Sequence, residues 1–141
     1  MRMKTSGLVI LVCLGLASCA AGPGGRQSGA LKPCPDSPNC VSSEMPERDV
    51  APLALAGEDR WDRLRQAIAA LGGSIEREEQ GYLHATFRSP IFGFVDDVEF
   101  RQDGDVIQVR SAARLGWWDL GVNRRRVERL REVLGKTGQG L

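Results

Sequence analysis

Three consecutive arginines, residues 124–126, open the last helix that the pattern predicts in this 141-residue chain. The amino end of a helix already carries partial positive charge, so cations in its first turn are unfavourable unless an anion offsets them. Free backbone N–H groups beside arginine side chains form a suitable site for a phosphate or carboxylate group. Asn123 is a good N-cap residue for this helix, and two further arginines precede it near a strand end. The sequence therefore predicts an anion-binding site, for a small ligand or a lipid headgroup, formed by Arg110, Arg114, Asn123, Arg124 and Arg125.

The same arginines have a second, structural interpretation. Four acidic residues lie on the neighbouring strand and turn, namely Asp96, Asp97, Glu99 and Asp119. They could neutralise the arginines in an ion-pair network, and such networks produce the same charge pattern as ligand sites. A surface for a partner protein is the third interpretation. The pattern alone leaves all three open.

Signals for catalysis are weak. His84 is the only histidine, and on a strand it alternates with core residues, so we expect it to be exposed. Asp96 and Asp97 are adjacent on a strand and point to opposite faces, which argues against a paired-carboxylate site. The serines lack the glycine-flanked turn of a hydrolase nucleophile, and one histidine is too few for a typical zinc site. The sequence favours a non-catalytic protein without a metal or cofactor, with a hydrolase as the weaker alternative.

Two adjacent tryptophans, Trp117 and Trp118, lie in the turn before the last helix. Two large aromatic neighbours on one turn do not both fit into a core, so at least one is predicted to be exposed. An exposed tryptophan would give the domain a small apolar contact surface, for example for a partner protein. Trp61, by contrast, lies on the apolar stripe of a helix and is predicted to belong to the core.

Hydrophobic periodicity places these residues on two helices and four strands. Apolar residues recur at three- and four-residue steps in residues 58–71 and 123–134, which predicts a helix in each range. The four strands are predicted between them, over residues 74–78, 82–89, 95–102 and 106–113. The order α-β-β-β-β-α predicts an α+β fold, with an antiparallel four-stranded sheet and two helices on one face.

Turn chemistry predicts the pairing of the second hairpin. The dipeptide Asp103-Gly104 is a strong signal for a two-residue type I′ turn. That turn would set Phe100 opposite Ile107 on the core face. On the other face it would set Asp97 opposite Arg110, as a cross-strand ion pair.

The amino-terminal residues have the layout of a lipoprotein export signal. Arg2 and Lys4 precede an uncharged apolar run over residues 8–17. Ten helical residues reach about 15 Å, roughly half of a hydrocarbon core, so the run fits a cleavable signal better than a membrane span. The sequence Leu16-Ala17-Ser18-Cys19 then matches a lipobox, in which small residues fit the peptidase and the cysteine takes the lipid. An ordinary secretory signal with an incidental cysteine is the alternative.

These features predict a protein that is held at a membrane by acyl chains on Cys19. The predicted segments are a signal peptide at 1–18, the lipidated cysteine and a flexible tether at 19–33, a globular domain at 34–135 and a flexible tail at 136–141. Several acyl chains hold a protein at a bilayer far better than one. Because Ala20 is not the aspartate that retains lipoproteins at the inner membrane, we expect the periplasmic side of the outer membrane.

Cysteine use and net charge agree with this location. Cys34 and Cys40 flank a turn-rich loop and would form a disulfide in an oxidising compartment, although a redox pair or half of a metal site are alternatives. Removing the signal peptide takes Arg2 and Lys4 from the 19 basic residues and leaves 17 against 18 acidic ones. The resulting net charge of −1 gives no general attraction to nucleic acid, so binding must come from a local patch.

Four motifs resemble a known family of unknown function. They are CPDSPNCVSS at 34–43, FVDDVEFR at 94–101, VRSAAR at 109–114 and DLGVNRRR at 119–126. In this order they are similar to the domain-of-unknown-function family DUF1499, over about residues 34–135. Two positions depart from the family pattern: Ala113, where a second serine is expected, and Trp117-Trp118, where smaller residues are commoner. The resemblance implies no agreed activity, catalytic residue or cofactor.

Overall fold

The computed structural model describes residues 29–137, so the predicted signal peptide, Cys19 and residues 138–141 lie outside the described part of the chain. Within this part, two helices and six strands form the regular structure. The strands are β1 (Cys40–Ser42), β2 (Leu53–Ala54), β3 (Ser74–Glu79), β4 (Tyr82–Arg88), β5 (Val95–Asp103) and β6 (Val106–Ala113). The helices are α1 (Arg60–Ala70) and α2 (Val122–Thr137), and a short 3-10 turn spans Pro46–Arg48.

The six strands pair antiparallel in the order β1-β6-β5-β4-β3, and β2 also pairs with β6. The predicted α+β class, with two helices and an antiparallel sheet, is confirmed. The predicted number of four strands is wrong, because β1 and β2 both pair with the outer edge of β6. These two strands are too short to show a two-residue alternation, and they lie in a proline-rich segment where the sequence gives no strand signal.

The two helices pack on one face of the sheet and on each other. Leu64 and Ile68 of α1 and Leu130 of α2 are fully buried, against inward-facing strand residues such as Phe100. Trp61 packs against this cluster and is partly buried, in agreement with the predicted helical stripe. The predicted apolar stripes of the two helices therefore form the core. Burial of each aliphatic side chain contributes about 1.5–3 kcal/mol to stability.

The β5–β6 hairpin keeps its predicted core face but has a different register. Its turn is Gly104-Asp105, one residue later than predicted, so Phe100 pairs with Val109 rather than with Ile107. Gly104 has a φ of 58°, whereas neither Asp103 nor Asp105 has a positive φ. A glycine with positive φ in the first turn position is typical of a type II′ turn, whereas the predicted type I′ turn needs positive φ at both positions.

The shifted register also changes the partners on the opposite face of the sheet. Glu99, not Asp97, lies opposite Arg110, so the predicted Asp97–Arg110 ion pair is wrong. Moving the turn by one residue shifts the pairing by two, which preserves the alternation of side chains along each strand. Hydrophobic residues therefore stay on the core face, and polar residues stay on the opposite face.

Regular contacts are present on both sides of residues 34–135. Leu31, in the predicted tether, is 4% exposed, and its backbone N–H donates to the carboxylate of Glu44 over 2.8 Å. At the other end, α2 continues past the predicted end at residue 134 to Thr137.

Within residues 29–137, no helix is both long enough and apolar enough to cross a membrane.

The predicted disulfide between Cys34 and Cys40 is present, with a Cα–Cα distance of 5.6 Å. Cys40 is the first residue of β1, so the bond ties the preceding segment 31–35, called the strap below, to the edge of the sheet. The strap lies over the face opposite the helices, where the carbonyl of Pro33 accepts a hydrogen bond from Arg110 Nη2 over 3.4 Å.

Candidate functional site

The structure separates the five residues of the predicted anion site. Arg110 lies on the sheet face beneath the strap, whereas Asn123 is fully buried on the helix side. Arg124 and Arg125 are exposed on the first turn of α2, and Arg114 follows the end of β6. Side chains on opposite faces of a sheet cannot converge on one small ligand, so these five residues do not form a single site.

The amino end of α2 is occupied by a side chain of the protein itself. The carboxylate of Asp119 accepts hydrogen bonds from the backbone N–H groups of Gly121 (2.9 Å) and Asn123 (2.8 Å) and from the Asn123 side chain (2.9 Å). Burial raises the pKa of Asp119, but these hydrogen bonds outweigh that effect and leave the pKa below its usual value. Because α2 begins at Val122, Asn123 is not the N-cap residue that the sequence predicts. The backbone N–H groups of Gly121 and Asn123 are therefore not free to bind an external anion.

Asn123 instead organises a buried polar cluster between α2 and the sheet. Its side-chain N–H donates to the carbonyl of Asn39 (3.1 Å), and its side-chain oxygen accepts from Ser111 Oγ (2.6 Å) and Arg126 Nη1 (2.8 Å). Arg126 also binds Asp96, with Nη2 and Oδ2 at 2.5 Å. This ion pair explains why an acidic residue is tolerated at position 96, on the core side of β5.

Asp97 joins two basic partners on the face beneath the strap. Its carboxylate accepts hydrogen bonds from Nε and Nη2 of Arg114, both at 2.8 Å, and lies 2.8 Å from Nε2 of His84. Burial alone would raise the pKa of Asp97, but the hydrogen bonds from Arg114 and His84 hold it well below its usual value. His84 is only 5% exposed, so the predicted exposed histidine is wrong. The His84 side chain points away from the helices, but the sheet face on which it lies is also buried.

Glu99 lies at the centre of a second group on the same face. It is fully buried and accepts hydrogen bonds from the hydroxyl of Tyr82 (2.7 Å) and from Nη1 of Arg110 (3.0 Å). Burial, together with the hydrogen bond to Glu99, raises the pKa of Tyr82. The two groups together are called the polar face below, and its members are Tyr82, His84, Asp97, Glu99, Arg110 and Arg114.

A cavity of about 470 Å³ lies between the strap and the polar face. Its lining includes Lys32 of the strap together with Arg110 and Arg114. Both arginines pair with acids, Arg110 with Glu99 and Arg114 with Asp97. This cavity therefore offers little uncompensated positive charge to an anionic ligand, and the polar face fits a structural role better than a binding role.

The four acids of the predicted ion-pair network are all engaged, but they do not form one network around residues 124–126. Asp96 binds the last of these three arginines, whereas Asp97 and Glu99 bind arginines of the sheet. Asp119 binds the α2 backbone and the Asn123 side chain instead. The first two arginines of the triplet have no acidic partner within salt-bridge distance among residues 29–137.

A second cavity, of about 420 Å³, lies between α2 and the end of β4 and is called the arginine cavity below. Its lining is apolar at Leu71, Phe87, Pro90 and Val122 and cationic at Arg88, Arg125, Arg126 and Arg129. Arg88, Arg125 and Arg129 are exposed and have no acidic partner in the described part of the chain. Arg88 Nη1 donates to the carbonyl of Gly93 and Arg125 Nη1 to that of Leu120, each over 2.9 Å, so their remaining N–H groups are available.

The arginine cavity combines the two features that an acidic, partly apolar molecule requires. Guanidinium groups bind phosphate and carboxylate groups, often through two parallel hydrogen bonds. The apolar wall can cover a hydrocarbon part of the same molecule. Of the predicted site residues, only Arg125 belongs to this cavity. Arg129 lies one turn further along the helix, a spacing visible in the sequence, whereas the position of Arg88 depends on the folded sheet.

The paired tryptophans are both exposed, in agreement with their position on a turn. Trp117 is 69% and Trp118 is 66% exposed. Their surroundings carry further exposed hydrophobic side chains, which are considered below as a surface of their own. Among the described residues, no group of three or more His, Cys, Asp or Glu side chains is placed to hold a metal ion.

One protein family matches nearly all of the described residues. The family model with the description "Protein of unknown function (DUF1499)" matches residues 30–134. The chain belongs to the DUF1499 family. The match starts just before the strap and ends within α2, so this DUF1499 domain includes both the polar face and the arginine cavity. No curated protein matches the chain. Because the family description names no activity, the function has to be inferred from the site.

Proposed function

We propose that this DUF1499 protein is a lipid-anchored protein of the cell envelope that binds an anionic, partly apolar ligand and does not catalyse a reaction. The arginine cavity carries the proposal, because three exposed arginines without acidic partners border an apolar wall there. The ligand carries a phosphate or carboxylate group. A lipid headgroup and a soluble phosphate ester share this chemistry.

The charges around the arginine cavity favour a bound anion. Arg125 and Arg129 are one helical turn apart, and like charges at this spacing destabilise a helix by about 0.2–0.5 kcal/mol. The positive end of the α2 dipole adds to this effect at Arg125. A bound phosphate relieves both repulsions and gains charge-assisted hydrogen bonds, each of which contributes roughly 1.5–3 kcal/mol.

The envelope location rests on the amino-terminal sequence. The apolar run at 8–17 and the lipobox that ends at Cys19 support export and acylation. The Cys34–Cys40 disulfide supports an oxidising compartment, and Ala20 supports the periplasmic side of the outer membrane. Metabolic labelling with a palmitate analogue tests the anchor. We expect the wild type to be labelled and Cys19→Ala to remain unlabelled, and equal labelling of both would contradict acylation at this cysteine.

Hydrolysis is not proposed, because the polar face supports a structural role. A general base must reach the proton that it removes from a substrate. His84 is 5% exposed and contacts Asp97, which in turn binds Arg114. A histidine in this setting stabilises a buried carboxylate.

A calorimetric titration of the purified mature chain tests the arginine cavity. The two probes are inorganic phosphate and dihexanoyl phosphatidic acid, a soluble lipid with short acyl chains. We expect the lipid to bind more tightly, because its chains can also cover the apolar wall. If inorganic phosphate binds as tightly as dihexanoyl phosphatidic acid, or more tightly, the cavity would instead be assigned to a soluble phosphate compound.

Two arginine variants and one control connect the titration to the cavity. We expect Arg125→Ala and Arg129→Ala each to weaken binding about tenfold or more, through loss of a charge-assisted hydrogen bond. Arg124→Ala is the matched control, because Arg124 lies on the same helical turn but outside the arginine cavity. Unchanged affinity in a variant that lacks both Arg125 and Arg129 would rule out the proposed site.

A further inference from the structure

Exposed hydrophobic side chains are concentrated at one end of the DUF1499 domain. Nine large hydrophobic residues are exposed within residues 29–137, and eight of them lie in or directly beside two loops, 89–94 and 114–121, called the loop end below. These eight are Ile91, Phe92, Phe94, Leu115, Trp117, Trp118, Leu120 and Val122. The exception is Ile75, on the edge strand β3.

The two loops are neighbours in space. β4 ends at Arg88, which pairs with Val95 at the start of β5. β6 ends at Ala113, which pairs with Asp96, and the backbone N–H of Arg114 donates to the carbonyl of Val95 over 3.0 Å. Both loops therefore leave the sheet at the same end, and their exposed side chains belong to one surface.

The backbone of the loop end holds apolar side chains in water. Leu120 has a φ of 54°, a left-handed conformation that is unfavourable for a residue with a side chain, and it is nevertheless 64% exposed. The rings of Phe92 and Phe94 stack with their centroids 5.8 Å apart, and Phe92 is 75% exposed. Soluble monomeric proteins rarely expose so many large hydrophobic residues together, and such a patch is typical of a contact site.

Positive charge lies beside this apolar surface. Arg88, Arg124 and Arg125 are exposed there, and none of them has an acidic partner among the described residues. The acids nearby are used internally, since Asp96 binds an arginine of α2 and Asp119 binds the α2 backbone. Apolar loop tips with a rim of arginines match the surface of a bilayer that carries anionic headgroups.

We infer that the loop end docks onto a phospholipid bilayer that contains anionic lipids, with Trp117, Trp118 and Phe92 inserted among the headgroups. Tryptophan is enriched in this interfacial zone of membranes. A fluid lipid surface can surround side chains that project from separate loop tips, whereas a protein partner would need a preformed pocket for each. Gly29 follows Cys19 by ten residues, which span at most about 35 Å, so an acylated chain keeps the domain within that distance of its membrane.

The inference goes beyond the proposed function, because docking requires no ligand in the arginine cavity, although Arg88 and Arg125 belong to both surfaces. Sedimentation with vesicles tests docking without the anchor, and the chain 20–141 is suitable because it retains the core, the disulfide and the loop end. We expect binding to vesicles of phosphatidylcholine mixed with phosphatidylglycerol. Binding to pure phosphatidylcholine should be at least about tenfold weaker, because the arginines then lose their anionic partners.

A pair of serine substitutions tests the apolar contact. The double variant Phe92→Ser, Trp118→Ser should bind mixed vesicles at least about tenfold more weakly, because two exposed hydrophobic side chains no longer enter the bilayer. Ile75→Ser is the matched control, since it removes the exposed hydrophobic residue outside the loop end and should leave binding unchanged. Both changes replace exposed side chains, and thermal unfolding checks that the fold is retained.

Fluorescence quenching locates the contact on the molecule. The variant Trp61→Phe keeps only the two tryptophans of the loop end, whereas Trp117→Phe, Trp118→Phe keeps only Trp61, which packs against the core. We expect brominated lipids in mixed vesicles to quench the first variant and to leave the emission of the second unchanged. Equal quenching of both variants would contradict insertion of the loop end.

Other results would overturn the inference as clearly. Wild-type chain that stays unbound with mixed vesicles would exclude docking, and a Phe92→Ser, Trp118→Ser variant that binds as tightly as the wild type would exclude insertion. A photo-crosslinker at position 118 that traps one defined protein, with no vesicle binding, would assign the surface to a protein partner. The double variant leaves the lining of the arginine cavity intact, so its titration with dihexanoyl phosphatidic acid separates a failure of docking from a failure of the proposed function.

Discussion

The polar face and the loop end place arginine in opposite environments. On the polar face, Arg110 is 5% exposed, pairs with Glu99 and is covered by the strap. Beside the loop end, on the first turn of α2, Arg124 and Arg125 are exposed, without acidic partners within residues 29–137. A buried charge must be paired inside the protein, because an isolated ion is strongly disfavoured away from water, whereas an exposed charge remains free to meet an external anion. The same residue type therefore maintains the fold in one region and is available for binding in the other.

Removal of Glu99 should cause the largest loss of stability. Glu99→Ala leaves Arg110 buried without a counter-ion and removes the hydrogen bond that the Tyr82 hydroxyl donates to Glu99. We expect the free energy of unfolding to fall by about 3–5 kcal/mol, measured by urea denaturation. The comparison variant is Glu128→Ala, which breaks an exposed ion pair with Arg131 on α2 and should change stability by less than about 1 kcal/mol. Similar losses in the two variants would remove the contrast between buried and exposed charges.

A double replacement distinguishes the cost of an unpaired charge from the cost of lost packing. Glu99→Leu with Arg110→Met removes both charges and keeps similar side-chain volumes. Apolar replacement of a whole buried pair is often neutral or stabilising, so we expect this variant to regain the part of the loss that comes from the unpaired Arg110 charge, while the hydrogen bond from Tyr82 stays lost. If it were as unstable as Glu99→Ala, the role of the polar face in packing would exceed its role in charge pairing.

The polar face should also make the domain sensitive to acid. Burial would raise the pKa of Asp97 in the folded domain, but the hydrogen bonds from Arg114 and His84 lower it below the unfolded value of about 3.9. As the pH falls below about 4, the unfolded chain takes up the proton first. The stabilisation by Asp97 is therefore complete above that pH and is lost as the pH falls toward the lower pKa of the folded state.

Urea denaturation from about pH 6 down to about pH 3 measures the first part of this effect. A single group with an unfolded pKa of about 3.9 changes the free energy of unfolding by at most about 1.4 kcal/mol per pH unit, so the loss attributable to Asp97 should reach about 1.3 kcal/mol by about pH 3. Asp97→Asn removes the titrating group, and its stability should depend less steeply on pH than that of the wild type. Asp119, whose pKa is also lowered, still contributes to the remaining slope. An unchanged slope in Asp97→Asn would show that other carboxylates dominate.

Local sequence patterns were sufficient for the helices and the central strands, because amphipathic elements of this length repeat their signal several times. Elements that depend on distant partners were missed. The two-residue strand at Leu53 forms because β6 provides the pairing edge. In the central hairpin, a turn placed one residue later than predicted is enough to exchange the partner of Arg110. Burial of His84 likewise depends on packing over a face of the sheet that a single strand cannot reveal.

The candidate site was predictable only in part, for the same reason. Arg125 and Arg129 share one face of α2 at a helical spacing, and Arg125 was predicted. Arg88 reaches the arginine cavity from the end of β4, which no local pattern indicates. Asp119 was assigned to an ion-pair network, although an acid just before a helix is also a recognised signal for a side chain that binds the first N–H groups.

Loss of the disulfide should open the polar face and leave the loop end unaffected. Cys34→Ser with Cys40→Ser frees the strap, and the chain-entropy model predicts a loss of about 2 kcal/mol for so short a loop. We also expect faster modification of His84 by diethylpyrocarbonate, because the strap no longer holds the face closed. Binding to mixed vesicles should persist at temperatures where the variant is folded. If His84 were still modified slowly and vesicle binding were lost, the disulfide would support the loop end and not the polar face.

The smallest expected effect on stability is at Arg124, and it is also the sharpest test of the contrast. Arg124 lies in the first turn of α2, where the helix dipole disfavours a cation, and it has no acidic partner in the described part of the chain. Arg124→Gln should therefore raise the free energy of unfolding by about 0.3 kcal/mol, while affinity for mixed vesicles falls about fivefold through the loss of one cation near the anionic surface.

Arg131→Gln is the control, because Arg131 binds Glu128 and the carbonyl of Ala51, so its loss should lower stability. A variant that is more stable but binds more weakly means that Arg124 is retained for binding at the expense of folding. A destabilised Arg124→Gln would mean that this arginine, like those of the polar face, has a structural partner.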